Sequence, residues 1–259
     1  MDKNELQEVL EQHQLWLNGN GGERINLCNV DLRGIDLHGA NLRRAKLRGA
    51  NLYGAQLGNA CLNLADLSYA NLSNADLHNV SLFGTNLHYA DLCKTDLSYA
   101  DFGWANLNCT ELSYANLYGA DLLDANLSGA NLNGAILDNV KYNENTSFFA
   151  LQCPEEGSFI GYKKAGRYIV KLEILPDAKR SSATTRKCRC SAAKVLSITT
   201  LDGKDDGTQF VSSDKDSDFV YRVGEIIRVD DFDENRWNEC STGIHFFITR
   251  NEAVEYNVY

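Results

Sequence analysis

No apolar run in this chain approaches the ~18–20 residues of a membrane span, so a transmembrane helix is excluded. The opening residues, Met1-Asp-Lys-Asn-Glu, lack a basic stretch followed by an apolar one, and a secretory signal is not expected. The 8 cysteines have no framework spacing; without an export signal they read as reduced thiols of a cytoplasmic protein. Proline is scarce, 2 residues against 20 glycines, and methionine occurs once. Neither a phosphate-binding glycine loop nor a paired catalytic carboxylate motif occurs, so the expected class is non-enzymatic with no cofactor. What is present is a 259-residue chain that is 44% hydrophobic, too apolar for disorder and sized for one large or two small domains.

The net charge of −10 is unevenly spread. Residues 1–24 carry −3, residues 25–64 carry +3, residues 65–144 carry −8 and the remainder −2. The acidic block lies inside a five-residue repeat. Leu27, Leu32, Leu37, Leu42 and Leu47 open a register that steps by five to Leu137, 23 repeats in which only Phe102 departs from Leu. Two residues earlier sits a small or β-branched residue, usually Ala, and the residue between is usually Asn or Asp.

A period of five matches neither helix nor strand. Blocks such as Ala65-Asp-Leu-Ser-Tyr69 and Ala125-Asn-Leu-Ser-Gly129 closely resemble the A(D/N)Lxx motif of the pentapeptide-repeat family. The resemblance covers residues 25–142. It implies a β-solenoid: a right-handed quadrilateral β-helix with 20 residues per coil. About six coils ~4.8 Å apart would make a rod roughly 29 Å long. Ala and Leu would point inward, and Asn and Asp would face out at turns. The expected organisation is a capping helix and Gly-rich turn over 1–24, the β-helix over 25–144 and a C-terminal domain over 153–259. For the cap, Asp2 and Glu5 suggest a capping box opening a helix over about 3–17, with Leu6, Val9, Leu10, His13 and Leu17 on one face. His13 reads as packing rather than as a ligand.

Residues 20 apart should stack, which aligns Asp76 with Asp96, Asp91 with Glu111, and Asp101 with Asp121. Some pentapeptide-repeat proteins mimic duplex DNA, so the resemblance implies these acids as contacts for a protein partner, a DNA-handling enzyme. The alternative is that Asp is simply common at this repeat position and stays solvated. Outward Tyr69, Tyr89, Tyr99 and Trp104 are either interface anchors or covers over the seams between coils.

Beyond Tyr142 the register stops, and 143–152 reads as a link. A small β-rich α+β domain follows, with strand candidates at Tyr168–Ile174, 194–200, 219–223, 225–229 and 243–248 and a helix-opening capping box at Thr249 and Glu252. Lys179, Arg180, Arg186, Lys187 and Arg189 form a basic loop, the one place where an anion or nucleic acid is expected to bind directly; otherwise it is solvated or docks on acidic residues. Cys188, Cys190, Cys240 and His245 are the alternative set, as a zinc site, or with Cys240 and His245 as nucleophile and base. Arg180–Cys188 and Cys240–Phe247 also resemble an uncharacterised domain of bacterial and phage proteins, often found behind pentapeptide repeats. That domain is expected to supply a second contact or an oligomerisation surface, a homodimer being one outcome.

Overall fold

The structure is a computed structural model that describes residues 3–147, 152–238 and 241–256. The chain divides into two units, Met1–Ala150 and Leu151–Tyr259. No helix among the described residues is long and apolar enough to cross a membrane.

In the first unit the five-residue period becomes a ladder of single parallel bridges. Asn26 pairs with Lys46, Asp31 with Asn51, Asp36 with Gln56 and Asn41 with Cys61, and the 20-residue offset persists to Asp121 and Lys141. Asn126 pairs with Ser147, one residue further on, so residues 143–147 finish the ladder rather than linking away from it.

The backbone explains the motif. Across Asp66–Ala70, the Asp66 N–H donates to the Ala45 carbonyl (3.0 Å), that of Leu67 to Asn86 (2.8 Å) and that of Tyr69 to His88 (2.9 Å). The Ala70 N–H closes a β-turn onto the Leu67 carbonyl at 3.0 Å. Only the Ser68 N–H lacks a backbone acceptor, and the Asp66 Oδ1 supplies one at 3.1 Å. An Asn or Asp two residues upstream therefore completes the account of every N–H in the repeat. The turn also holds its third residue left-handed, φ between 53° and 71° at every step from Asn29 to Asn139.

Leu and Ala fill the interior. Leu52, Leu72, Leu97, Phe102 and Leu117 are fully buried, as are most of the alanines between them. Within the span of the Leu register, three inward positions hold threonine instead. Their hydroxyls are satisfied by donating to leucine carbonyls: Thr85 to Leu62 (2.8 Å), Thr95 to Leu72 (3.0 Å) and Thr110 to Leu87 (2.9 Å).

Helix α1, Lys3–Leu17, buries Leu6 and His13. His13 is more than packing. Its Nδ1 accepts from the Ile25 N–H at 3.1 Å and its Nε2 donates to the Arg43 carbonyl at 3.2 Å, joining the helix to the first repeats. The turn after α1 requires glycine at Gly22, where φ is +73° and a Cβ would lie 2.2 Å from the Gln12 carbonyl oxygen. Asp2, half of the expected capping box, lies outside the described residues.

The second unit has nine strands among its described residues: β1 Phe159–Ala165, β2 Tyr168–Ile174, β3 Arg180–Ser182, β4 Cys188–Cys190, β5 Ala192–Thr200, β6 Phe210–Ser212, β7 Val220–Arg222, β8 Ile226–Arg228 and β9 Ile244–Phe246. They make antiparallel sheets ordered β1-β2-β5-β8, β3-β4-β9 and β6-β7. Val170, Leu172, Val195, Cys190 and Phe246 form the core between them. Gly161 lets β1 approach β9, since a Cβ there would sit 2.7 Å from the Phe246 ring. Helix α2, Arg250–Glu255, opens on the expected capping box of Thr249 and Glu252.

Candidate functional site

Each acid singled out in the repeats does a local job. The N–H groups of Cys93, Ser98, Gly103 and Leu123 donate to Asp91, Asp96, Asp101 and Asp121 at 2.9–3.0 Å, and Ser113 donates to Glu111 at 2.9 Å. Asn116 Nδ2 adds a bond to Asp96 at 3.0 Å, and Asn131 Nδ2 adds bonds to both Glu111 oxygens at 2.9 and 2.8 Å. Asp76 is tied more tightly. Its Oδ1 accepts from the His78 N–H at 3.1 Å and meets the His78 Nδ1 at 2.6 Å. Burial works to raise the Asp76 carboxyl, but the His78 bonds outweigh it and hold the group below the usual carboxylate range. All six acids are half-buried.

Stacking follows the ladder: Asp76 bridges Asp96, Asp91 bridges Glu111 and Asp101 bridges Asp121. The third pair is bordered by aromatics. A groove of about 530 Å³ is lined by Phe83, Tyr99, Asp101, Trp104, Asp121 and Lys141. Trp104 is 66% exposed and Tyr99 58%. Both occupy left-handed turn positions, φ 59° and 58°, where Gly or Asn is less strained than a bulky side chain. Elsewhere, Tyr69 and Tyr89 stack on each other at 5.5 Å beneath the Arg48 guanidinium, which covers a seam rather than opening a groove.

The basic segment of the second unit is not a solvated loop. Arg189 is 1% exposed and donates to the carbonyls of Thr242 (2.8 Å), Asn235 (2.9 Å) and Asp233 (3.2 Å). Arg180 serves the Pro154, Leu175 and Gly157 carbonyls, Arg186 pairs with Glu252 and Lys179 with Glu234. Lys187 is buried over the Tyr256 ring. These five residues engage neighbouring carbonyls, acids and a ring: β3 and β4 form within the run, Lys187 and Arg189 are buried, and Lys179 and Arg186 stay exposed beside their acids.

Strand alternation also separates the Cys/His set. Cys188 lies opposite Phe246, Arg189 opposite His245 and Cys190 opposite Ile244. Cys188 and Cys190 therefore share a face with the core, and His245 occupies the other face with Arg189. Cys240 lies outside the described residues, and no metal-ligating cluster occurs among those described. The hydrogen bond that the Cys188 thiol donates to Cys153, followed by burial, pushes Cys188 up, and burial pushes Cys190 up to about 12. Thiols held protonated are poor metal ligands and poor nucleophiles. Sequence spacing placed Cys188 and Cys190 together but could not show which face His245 takes. The Cys153–Cys188 contact had no signal in the sequence, because 35 positions and a strand pairing separate the two.

Pentapeptide repeats (8 copies) match over 25–63, 60–98, 89–124 and 105–141. A relative from the Arabidopsis thaliana thylakoid lumen, itself a pentapeptide repeat protein, is 30% identical over 46% of this chain and 72% of its own, TM-score 0.30. The chain belongs to the pentapeptide-repeat family. HetL, a pentapeptide repeat protein involved in heterocyst differentiation regulation in Nostoc sp. strain PCC 7120, is 36% identical over 44% of this chain, TM-score 0.28. This chain spans 62% of HetL. Rfr23 from Cyanothece 51142 is 25% identical over 54% of this chain and 97% of its own, TM-score 0.25. Behind the pentapeptide repeats, residues 149–253 match a family of unknown function, DUF5758. No curated protein matches the chain.

Proposed function

We propose that residues 25–147 form a right-handed quadrilateral β-helix of about six turns, capped by α1, that binds a partner protein through its acidic sides. The partner presents a basic surface of the kind a DNA-handling protein uses for duplex DNA, and the role is non-enzymatic. The stacking of like charges supports this reading. The fold asks each of these positions only for an oxygen that accepts an N–H, and Asn71, Asn86 and Asn106 meet that demand without charge. Carboxylates stacked at strand spacing, ~4.8 Å, repel one another, whereas amides would not. Asp76/Asp96, Asp91/Glu111 and Asp101/Asp121 are such pairs; His78 engages the Asp76 charge, and in this reading the charge of the other five serves the partner. The groove beside Asp101 and Asp121 adds Phe83, Tyr99 and Trp104 as apolar anchors.

Competition tests the reading. Protein captured from a bacterial lysate on the full-length chain should be displaced by duplex DNA and by raised salt. It should not be captured by the Asp101→Asn/Asp121→Asn variant. Capture that is indifferent to DNA, or undiminished by the double substitution, would refute mimicry.

A further inference from the structure

The face of the β3-β4-β9 sheet that carries His245 adjoins a concentration of lysines. Lys163, Lys164, Lys187 and Lys215 line one small cavity with His245, against the single acid Asp214. Lys164 is engaged by the Val254 and Tyr256 carbonyls at 3.0 and 2.8 Å, and Lys187 covers the Tyr256 ring. Lys163, Lys215 and His245 also line a larger neighbouring cleft of about 560 Å³, within the usual range for a small-molecule site. The His245 Nε2 is buried with no hydrogen-bond partner among the described residues. An orphaned buried imidazole nitrogen among lysines is costly unless something completes it.

The small cavity, about 20 Å³, holds about one water-sized atom, room for one oxygen of a ligand. The larger cleft has Phe219 and Tyr221 on its wall. The same cleft is lined by Asp216, Asp230 and Asp231 and by Arg228, so its cations are offset by three acids. That distribution suits one anionic group on an otherwise uncharged molecule, and it disfavours a polyphosphate or a nucleic acid.

We propose that this cleft binds a small organic acid, its carboxylate or phosphate against Lys163, Lys215 and His245 and its apolar part along Phe219 and Tyr221. The site is independent of the acidic repeats. Burial foremost, with Lys187 and Lys215 beside it, pushes the Lys163 ammonium down despite Asp214, and an incoming anion would relieve that repulsion.

The test is a titration of the full-length protein with benzoate, phenyl phosphate and neutral benzyl alcohol, followed by NMR at the His245 imidazole, assigned with His245→Asn. One or both acids should give a saturable shift and benzyl alcohol none; the tighter acid identifies the headgroup. Lys163→Met and Lys215→Met should each weaken binding at least about tenfold. Lys215 is exposed, so its substitution leaves the fold intact and keeps the result interpretable. No shift with either acid, an equal shift with benzyl alcohol, or unchanged affinity in Lys215→Met would overturn the proposal.

Discussion

Replacing Asp91, Asp96, Asp101 and Asp121 together, once by Asn and once by Ala, separates what the fold needs from what a partner would need. Each carboxylate accepts one backbone N–H at 2.9–3.0 Å, and Asp96 accepts a further amide. Asn keeps an acceptor oxygen at the same reach and removes the charge. Its amide also ends the repulsion between Asp101 and Asp121, which stack on neighbouring coils. The Asn variant should therefore unfold within about 1 kcal/mol of the parent, or be slightly more stable. Ala removes the acceptor and leaves four N–H groups dependent on water, three of them from part-buried bonds. At about 0.5–1.5 kcal/mol per bond, the Ala variant should lose roughly 2–6 kcal/mol. Denaturant unfolding followed by far-ultraviolet circular dichroism measures both, and partner capture by the same variants reads the functional half. Equal destabilisation by Asn and Ala would sink the reasoning, because charge rather than hydrogen bonding would then be holding the turns. An Ala variant as stable as the parent would do the same.

Trp104→Gly should leave stability within about 1 kcal/mol, since relief of the left-handed strain offsets the added freedom of the unfolded chain. The same change should weaken partner capture at least about tenfold if Trp104 is an anchor; a binding-neutral result would make it a mere seam cover. Arg189→Met leaves the Asp233, Asn235 and Thr242 carbonyls without their donor. The second unit should lose about 3 kcal/mol or more on urea unfolding, and a loss below about 1 kcal/mol would contradict the assignment. Acid should weaken the fold through two histidines. Burial, then the Arg24 charge, lowers His13 against the opposing pull of the Arg43 carbonyl; burial, then Lys187 and Lys163, lowers His245 to about 3. The unfolded chain then binds protons that the folded chain refuses, so this stability is complete above about pH 6.5 and falls as pH drops toward about 3. His245→Asn should flatten the dependence of melting temperature on pH between 6.5 and 4.5, and an unchanged slope would refute the role.

The repeat was legible because a five-residue period writes its geometry into every residue. Leu27, Leu32 and their successors face inward at each step, and no long-range pairing has to be guessed when each residue meets the one 20 positions on. The α2 capping box was equally local, Thr249 and Glu252 lying three residues apart. Sequence alone did not show why Asn and Asp recur, which depends on finding the one N–H per repeat that neighbouring coils leave unpaired. The second unit shows the limit more sharply. Lys179–Arg189 reads as a basic loop because charge in sequence says nothing of which carbonyls will surround it; β3 and β4 turn Arg180 and Arg189 into internal clamps. His245 looked like a partner for Cys188 and Cys190, and antiparallel pairing with Arg189 set it on the opposite face from them. Lys163 and Lys215 carried no motif at all. Composition and period determined the repeat fold, since its contacts are local and identical from coil to coil. Only tertiary structure decided which charges meet in the second unit, because there residues far apart in sequence are brought together by strand pairing.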